Sequence, residues 1–562
     1  MRKVQKTTTY FLPIYLVIIG SLLCINLKAQ EQQADTLKPI SNFRRWVQNL
    51  LPTPYDGLKN KLRMPMAVGY TDFDDNIRDL QLLGKLQPEQ SLTIRPYILT
   101  PKLGYDSLLA MIDPEFENHG HLVERKHSDI QLLPINFLQK YTSHHPYGWN
   151  DGPLSFSKGY QFVGSGGVYM RWRNIHLTLR PEFFKTASDP YETSNAWGQR
   201  TSALNKLIMG QSSLRMDLGP LSIGISTQNL WLGPGKFSSL LMSNNAEGFN
   251  HFSIGTNKPL KTPLGSFEFN IIGGTLTANA TQVYENKNLK VSYPSPNRYL
   301  NILSVSYSPL FFKNLFLGAN RAFQQFSQSN PSTNLKKYYL ISLQPLFRNQ
   351  YRDDNVPIDQ LLTGFVKYVF PKENAEIYFE YGWNDGSSNL RDLNLEVAHS
   401  AASIFGLRKI TYLNTSSYLT FKAEATKMAQ SPGYLQRNAG NWYEHGLIND
   451  GYTNENQIMG AGSGFGNNIQ TIEISWNKGW TKYGVKFQHI AQQPIRLTSD
   501  WLNLYLGTVD WDDYCYGVVV KQKYKNLLFN LNVDWVHSNN YMWQDKKTAS
   551  NLYIFLNTIY LW

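Results

Sequence analysis

From about residue 160 to its end, the sequence keeps returning to strand-length segments in which side chains alternate in character. Val168, Met170 and Trp172 alternate with Tyr169, Arg171 and Arg173, and similar runs span 214–218, 221–227, 267–271, 302–307, 315–319, 338–343, 377–381, 418–423, 471–476, 483–489, 527–535 and 552–562. The connections alternate in length. Short ones lie at Gly219-Pro220, 309–314, 371–374, 477–479 and 523–526. Long ones lie at 228–249, 276–299, 322–336, 383–400, 427–468, 491–512 and 537–550. Short turns on one side and long loops on the other are the pattern of a membrane β-barrel. A sheet in lipid must close, because each unpaired backbone group there costs several kcal/mol. A soluble sandwich or propeller is the competing architecture, and no blade-length repeat supports the propeller.

The start of the chain fits that compartment. Arg2, Lys3 and Lys6 precede an apolar run, Phe11 to Leu23, and Ala29 offers a small residue before Gln30. Residues 1–29 therefore read as a cleaved signal peptide. Their four cations, with Lys28, leave a net charge of about +8 from the formal +12. Cys24 leaves with the signal, so Cys515 stands alone and no intrachain disulfide forms. No nucleic-acid motif accompanies the dispersed basic residues. Aromatic residues make up 14% of the chain, a level that suits sheet surfaces and membrane-interface girdles.

Residues 30–160 read as a mixed periplasmic region. Helices are expected near 43–51, 75–86 and 107–112, and an extended piece at 91–99. The barrel is expected over 161–562. Counting strands outward and inward places loops 228–249, 383–400 and 427–468 outside the cell. The count collides near 337–371, and a short added strand at 346–350 would repair it. Roughly sixteen to twenty strands result, with an even number expected.

One connection is unusual. Residues 228–246 read Q-N-L-W-L-G-P-G-K-F-S-S-L-L-M-S-N-N-A. Gly233, Pro234 and Gly235 impose a tight backbone path. Leu230, Leu232, Leu240 and Leu241 need burial. This W-L-G-P-G and S-L-L-M-S-N-N-A pair resembles the capsule-assembly outer-membrane family (Wzi-like). Asn150-Asp151-Gly152 with 159–167 and 177–181, residues 376–382 with Asn384 and Asp385, and His399-Ser400 through 406–409 are also similar to that family. The resemblance implies a monomeric outer-membrane β-barrel of about eighteen strands, with a partly helical N-terminal periplasmic region. It also implies a lectin-like role in holding capsular or exopolysaccharide at the cell surface.

Sugars need flat apolar faces and paired hydrogen-bonding groups. Candidates for polysaccharide binding, or for a plug folded into the lumen, are Trp231, Gly233, Pro234, Gly235, Ser243, Asn244 and Asn245. Loop 383–400 adds Trp383, Asn384, Asp385 and His399, beside Glu380. Loop 427–468 adds Trp442, Tyr443 and Glu444. The plug reading is the stronger one for 228–249. Trp149-Asn150-Asp151-Gly152 recurs at 383–386, read as two independent turns. Glu380 with Asp385, or Glu444 with Asp450, would be a glycosidase pair only at the right separation. His119, His121 and His127 lack the spacing of a metal motif. No catalytic residue, metal or cofactor is expected. Surface polysaccharide and outer-membrane lipid are the expected partners, and a diffusion channel is the alternative function.

Overall fold

A computed structural model describes residues 73–86, 90–98, 105–125, 127–187, 203–278, 281–285, 288–292, 297–327, 358–384, 398–430, 442–445, 448, 450–492 and 509–562. The signal segment, the helix expected at 43–51, the strands expected at 338–343 and 346–350, and Asp385 lie outside the described residues.

Eighteen antiparallel strands close into a barrel. They are β1 (Ser128–Thr142), β2 (Gly159–Trp172), β3 (Ile175–Leu179 with Glu182–Lys185), β4 (Asn205–Ile208 with Ser213–Leu218), β5 (Leu221–Ser226) and β6 (His251–Thr256 with Leu260–Thr262). Then come β7 (Gly265–Leu276), β8 (Arg298–Pro309), β9 (Leu315–Phe326), β10 (Ile358–Phe370), β11 (Ala375–Asn384) and β12 (Ala401–Tyr412). The last are β13 (Tyr418–Lys427), β14 (Asn468–Lys478), β15 (Thr481–Gln492), β16 (Trp511–Tyr524), β17 (Leu527–Asn539) and β18 (Ala549–Tyr560). Closure is made by β18 on β1, with Tyr560 opposite Ile135 and Tyr553 opposite Thr142. The strand after the last inner turn thus leaves no open edge.

Burial alternates along the strands in the sense opposite to that of a soluble protein. In β11, Glu376, Tyr378 and Glu380 are buried, whereas Ile377 and Phe379 are exposed. Ile225, Phe405, Val485 and Val518 are exposed in the same way. Polar residues line the interior and apolar ones the outside, which is the arrangement of a sheet solvated by lipid. No helix among the described residues is long and apolar enough to cross a membrane.

Two expectations change. The barrel sheet begins at His121, whose strand to Arg125 forms a hairpin with β1, rather than at 161, so the region expected to be periplasmic supplies this hairpin and the start of β2. The alternation of β1 slips by one residue at Leu133–Asn136, where Pro134 sits in a register shift. Asp129 and Gln131 face inward before the shift, and Asn136, Leu138 and Lys140 after it. Near 337–371 the parity closes differently. Strand β10 runs into the turn at 371–374 and pairs directly with β9, so the sheet has no strand between them.

The short turns cluster at one end, the inner one by the barrel convention. Among the described residues, two helices lie on that side. Helix α1 (Phe73–Leu82) opens with Asp74 and Asp75 in its first turn, where carboxylates suit the helix dipole. It ends at Gly84, whose φ of 72° permits the left-handed stop, with Lys85 N–H bonded to the Leu80 carbonyl. Helix α2 (Tyr105–Ile112) packs Leu108, Leu109 and Ile112 with Trp480, Leu528, Ile559 and Leu561. Lys523 ties Asp113, just beyond α2, to the rim.

Candidate functional site: a plug and the mouth above it

The 227–250 connection does not stand out from the barrel. It folds down the lumen, and Leu230, Leu232, Leu240, Leu241 and Met242 are buried in one apolar cluster. The wall side of that cluster includes Ile272, Leu300, Ile302, Leu361 and Ile404. These inward positions are apolar where they meet the plug, so wall and loop are matched there.

Polar anchors fix the loop. The Glu424 carboxylate of β13 accepts the backbone N–H groups of Lys236 (2.6 Å), Phe237 (3.1 Å) and Ser238 (2.7 Å). The Tyr378 hydroxyl donates to the same carboxylate at 2.7 Å. Gly233 has a φ of 129°, and a side chain there would meet the Glu380 carboxylate at 2.8 Å. The left-handed φ favours glycine at this position, and a side chain would displace the Glu380 carboxylate. The chain leading out of α1 adds a second grip. Ile94 and Arg95 pair with Leu232 and Trp231 as a two-residue sheet inside the barrel. The Arg95 guanidinium lies 4.8 Å over the Trp231 ring and donates to the Gly235 carbonyl at 2.9 Å.

Below the plug, α1 is held by charges. Arg78 meets Glu376 at 2.5 Å, and Lys367 meets the other oxygen of Glu376 at 3.1 Å. Asp79 faces Arg408 at 2.8 Å, and Asp75 takes Lys236 (2.8 Å) and Lys422 (2.9 Å). Burial acts to raise the pKa of Asp75. The cations Lys236, Lys422, Arg408 and Lys482 outweigh it and hold the carboxyl well below its usual range. Lys236 belongs to the loop and Asp75 to the helix, so this pair joins the two plugging segments to one another.

Above, outer loops clamp the plug. The Tyr443 hydroxyl donates to the Leu240 carbonyl and accepts from Ala461 N–H, both at 2.7 Å. Ser243 N–H donates to the Met459 carbonyl, and the Asn245 amide to the Ile458 carbonyl at 2.9 Å. The Asn244 amide donates to the Asn150 carbonyl at 2.7 Å, and Asn150 returns a bond to the Phe237 carbonyl at 2.9 Å. Asp151 meets buried Lys140 at 2.5 Å.

These positions sort the candidates. Trp231, Gly233, Pro234, Gly235, Ser243, Asn244, Trp442 and Tyr443 are buried in the plug or its clamp. Glu380, expected beside an outer glycan loop, is wholly buried under Gly233 instead. Its place on β11 is inward and below the mouth, where the loop returns over it. Trp383, His399 and Glu444 are half-buried at the outer end. The Asn384 amide links two of these loops through the Glu444 carbonyl at 3.2 Å. The first Trp-Asn-Asp-Gly copy is part of the clamp, with Gly152 N–H bonded to the Asn244 carbonyl. Sequence reasoning missed Glu424, Arg95, Lys140 and the α1 charges. No local pattern marks them, since their partners lie on other strands or on loops folded back against them.

Two spaces remain. A cavity of about 220 Å³ lies beside the plug, lined among others by Trp149, Trp231, Phe237, Gln488, Asn532 and Tyr553. A smaller one of about 70 Å³ opens among the outer loops, lined by Phe156, Phe465, Asn245, Asn456 and Gln457.

The mouth also carries a pH-sensitive contact. His145 is buried with its Nδ1 3.2 Å from that of His144, and its peptide carbonyl accepts from Asn551. Burial, then the neighbouring His144, depresses its pKa to about 3. The imidazole stays neutral in the folded mouth but takes a proton in the unfolded loop below about pH 6.5. The unfolded state then binds more protons between the two values, so stability falls as the pH drops through that window. At pH 5 the loss is about 2 kcal/mol, at 1.36 kcal/mol per pH unit. Proteolysis within 143–158 should run faster at pH 5 than at pH 7.5, and His145→Asn should flatten the difference. An undiminished pH effect in that variant would rule out His145 as its source.

The fold and the filled lumen define a plugged outer-membrane β-barrel. The family model for capsule assembly protein Wzi matches residues 143–480, more than half of the chain, and the chain belongs to that family. Among solved structures, it is similar to Wzi of Escherichia coli, described as an outer membrane protein involved in group 1 capsule assembly and a carbohydrate-binding β-barrel. That match has a TM-score of 0.59 and 12% identity, covering 89% of this chain and 100% of that one. Pseudomonas aeruginosa OpdQ matches at a TM-score of 0.39 and 8% identity, covering 78% of this chain and 98% of its own. OprD of the same organism gives 0.35 and 8%, over 78% and 96%. A search of curated proteins finds no sequence match.

Proposed function

We propose that this barrel binds surface polysaccharide, capsular or exported, and holds it at the outer membrane without chemically altering it. The observation that carries this reading is the plug. A chain that fills its own lumen from α1 to Tyr443, with buried ion pairs and a matched apolar cluster, is built to stand still rather than to pass solutes. Membership of the capsule assembly family supplies the ligand class. Outer loops offer half-buried Trp383 and Glu444, and the small cavity beneath Phe156 and Phe465 brings amides next to aromatic faces. Asn245, Asn456 and Gln457 there suit paired hydroxyls.

The proposed partner is surface polysaccharide, bound by a monomer resting in outer-membrane lipid. Deleting the gene should leave polysaccharide synthesis intact but move most of the cell-bound fraction into the medium. Cell-associated and released polysaccharide, measured separately, check this. Unchanged retention in the deletion strain sinks the proposal.

A further inference from the structure

The outer ends of β15 to β18 carry an aromatic cluster beyond the stretch that matches the family model. Trp511 opens β16, and Tyr541 and Trp543 lie in the connection between β17 and β18. Ring centroids stand 5.1 Å apart for Trp511 and Tyr541 and 4.9 Å for Trp511 and Trp543, both pairs nearly edge-on at 75° and 85°. Lys547 places its ammonium 5.5 Å from the Tyr541 ring.

The direction of the cluster is informative. Trp511 shares strand parity with Asp513 and Cys515, which are buried inside the barrel, whereas Tyr516 and Val518 are exposed on the outside. Aromatic belts that serve the membrane interface point toward lipid. This cluster is set on the inward parity and crowns the mouth.

The backbone that presents it is strained. Asn540, Met542, Trp543 and Lys546 have φ values of 50°, 61°, 55° and 59°. Left-handed backbone is disfavoured for residues with a side chain, and it persists where the surroundings hold it for a purpose. The surroundings here are specific. The Trp511 indole N–H donates to Asp513 Oδ1 at 2.7 Å, and that of Trp543 to the Gln492 carbonyl at 3.2 Å. Asn540 accepts from Lys546 N–H and donates to the Asp510 carbonyl. Both indole N–H groups are engaged by the protein, and both rings are half-buried at the rim. Gln544 and Asp545, exposed on the same turn, offer an amide and a carboxylate.

We propose that this turn is a saccharide-binding platform. A sugar ring of the surface polysaccharide lays its C–H face on Trp543, and Gln544 and Asp545 take its hydroxyls. The inference rests on the polysaccharide-binding reading above and names a site for it.

The test uses the whole barrel purified in detergent and exopolysaccharide purified from the parent strain, immobilised on a surface. Trp543→Ala should weaken binding about tenfold, close to one stacking contact, and Trp543→Phe should restore most of it. Gln544→Ala with Asp545→Ala leaves the rings in place and should weaken binding about fivefold, about 1 kcal/mol of hydrogen bonding. Folding is checked by heat-modifiable migration, and a Trp543→Ala barrel that fails it leaves the double variant as the deciding one. Wild-type affinity in a folded Trp543→Ala barrel, or in the double variant, overturns the platform alone. Wild-type protein that does not bind the polysaccharide overturns the functional reading itself and the platform with it.

Discussion

Exchanging Glu424 for alanine is expected to turn a quiet barrel into a conducting one. Its carboxylate is buried and is the shared acceptor for three successive backbone N–H groups of the plug, at Lys236, Phe237 and Ser238. Nothing about an alanine replaces those bonds. Orphaning a buried N–H group costs about 1–3 kcal/mol, so the loss of three bonds takes at least about 3 kcal/mol from the plug's attachment. The Tyr378 hydroxyl loses its acceptor as well. The barrel wall should survive, because its ladder from β12 through β14 is made by backbone pairs that Glu424 does not enter with its side chain. Planar-bilayer recordings should therefore show rare, small events for the native protein and frequent, larger openings for Glu424→Ala. Trypsin should also reach Lys236 sooner. Glu424→Gln, which keeps one acceptor oxygen, should fall between them. A folded Glu424→Ala barrel as silent as the native one would falsify the assignment of Glu424 as the plug's anchor.

That anchor could not be read from the sequence, although the loop it holds could. Leucines at 230, 232, 240 and 241, around Gly-Pro-Gly, state that the loop is buried. They do not state against what. Strands were legible where one face is apolar and the other polar, as in β11, where Ile377 and Phe379 alternate with Glu376, Tyr378 and Glu380. Strand β10 blurs that reading because its inward face mixes Asp359, Thr363 and Lys367 with apolar residues. Leu361, Phe365 and Val369 point inward, and Leu362 and Val366 outward. It reaches the sheet as a run without period, which is ambiguous in sequence. In β1 the period exists but changes phase at Pro134. Helix α1 inverts the usual rule, since its Arg78 and Asp79 are buried. An amphipathic pattern assumes water on the polar face, and here the polar face meets the charged lining of a lumen.

The candidate site divides along the same line. Residues of the family-like stretch are legible as a signature, yet they act as the fixture rather than the contact surface. Trp231 stacks under Arg95 and Tyr443 bonds to Leu240, so both are spent on closing the barrel. The residues at the mouth arrive from loops with no common motif. Trp511 and Trp543 are thirty-odd residues apart in the chain and 4.9 Å apart in space. Only strand pairing, Asp512 opposite Asn539 across β16 and β17, brings their segments to one rim.

Glu376 should be the most sensitive position on the inner side. It lies between two buried cations, Arg78 of α1 and Lys367 of β10. Removing it leaves both without their carboxylate, which costs about 3–5 kcal/mol when one partner of a buried pair is deleted. The loss falls on α1, because Lys367 is built into the wall and also donates to the Ser91 carbonyl. Glu376→Ala is expected to release the 73–98 segment first, seen as early protease cleavage there and a lower denaturant midpoint for that step. The triple change Arg78→Met, Lys367→Met and Glu376→Met removes all three charges together and should recover most of the lost stability, since an apolar replacement of a buried ionic cluster is often close to neutral. If the single variant is as protease-resistant as the native chain, the ion pairs do not hold α1. If the triple variant is no better than the single one, the cost lies in packing rather than in stranded charge.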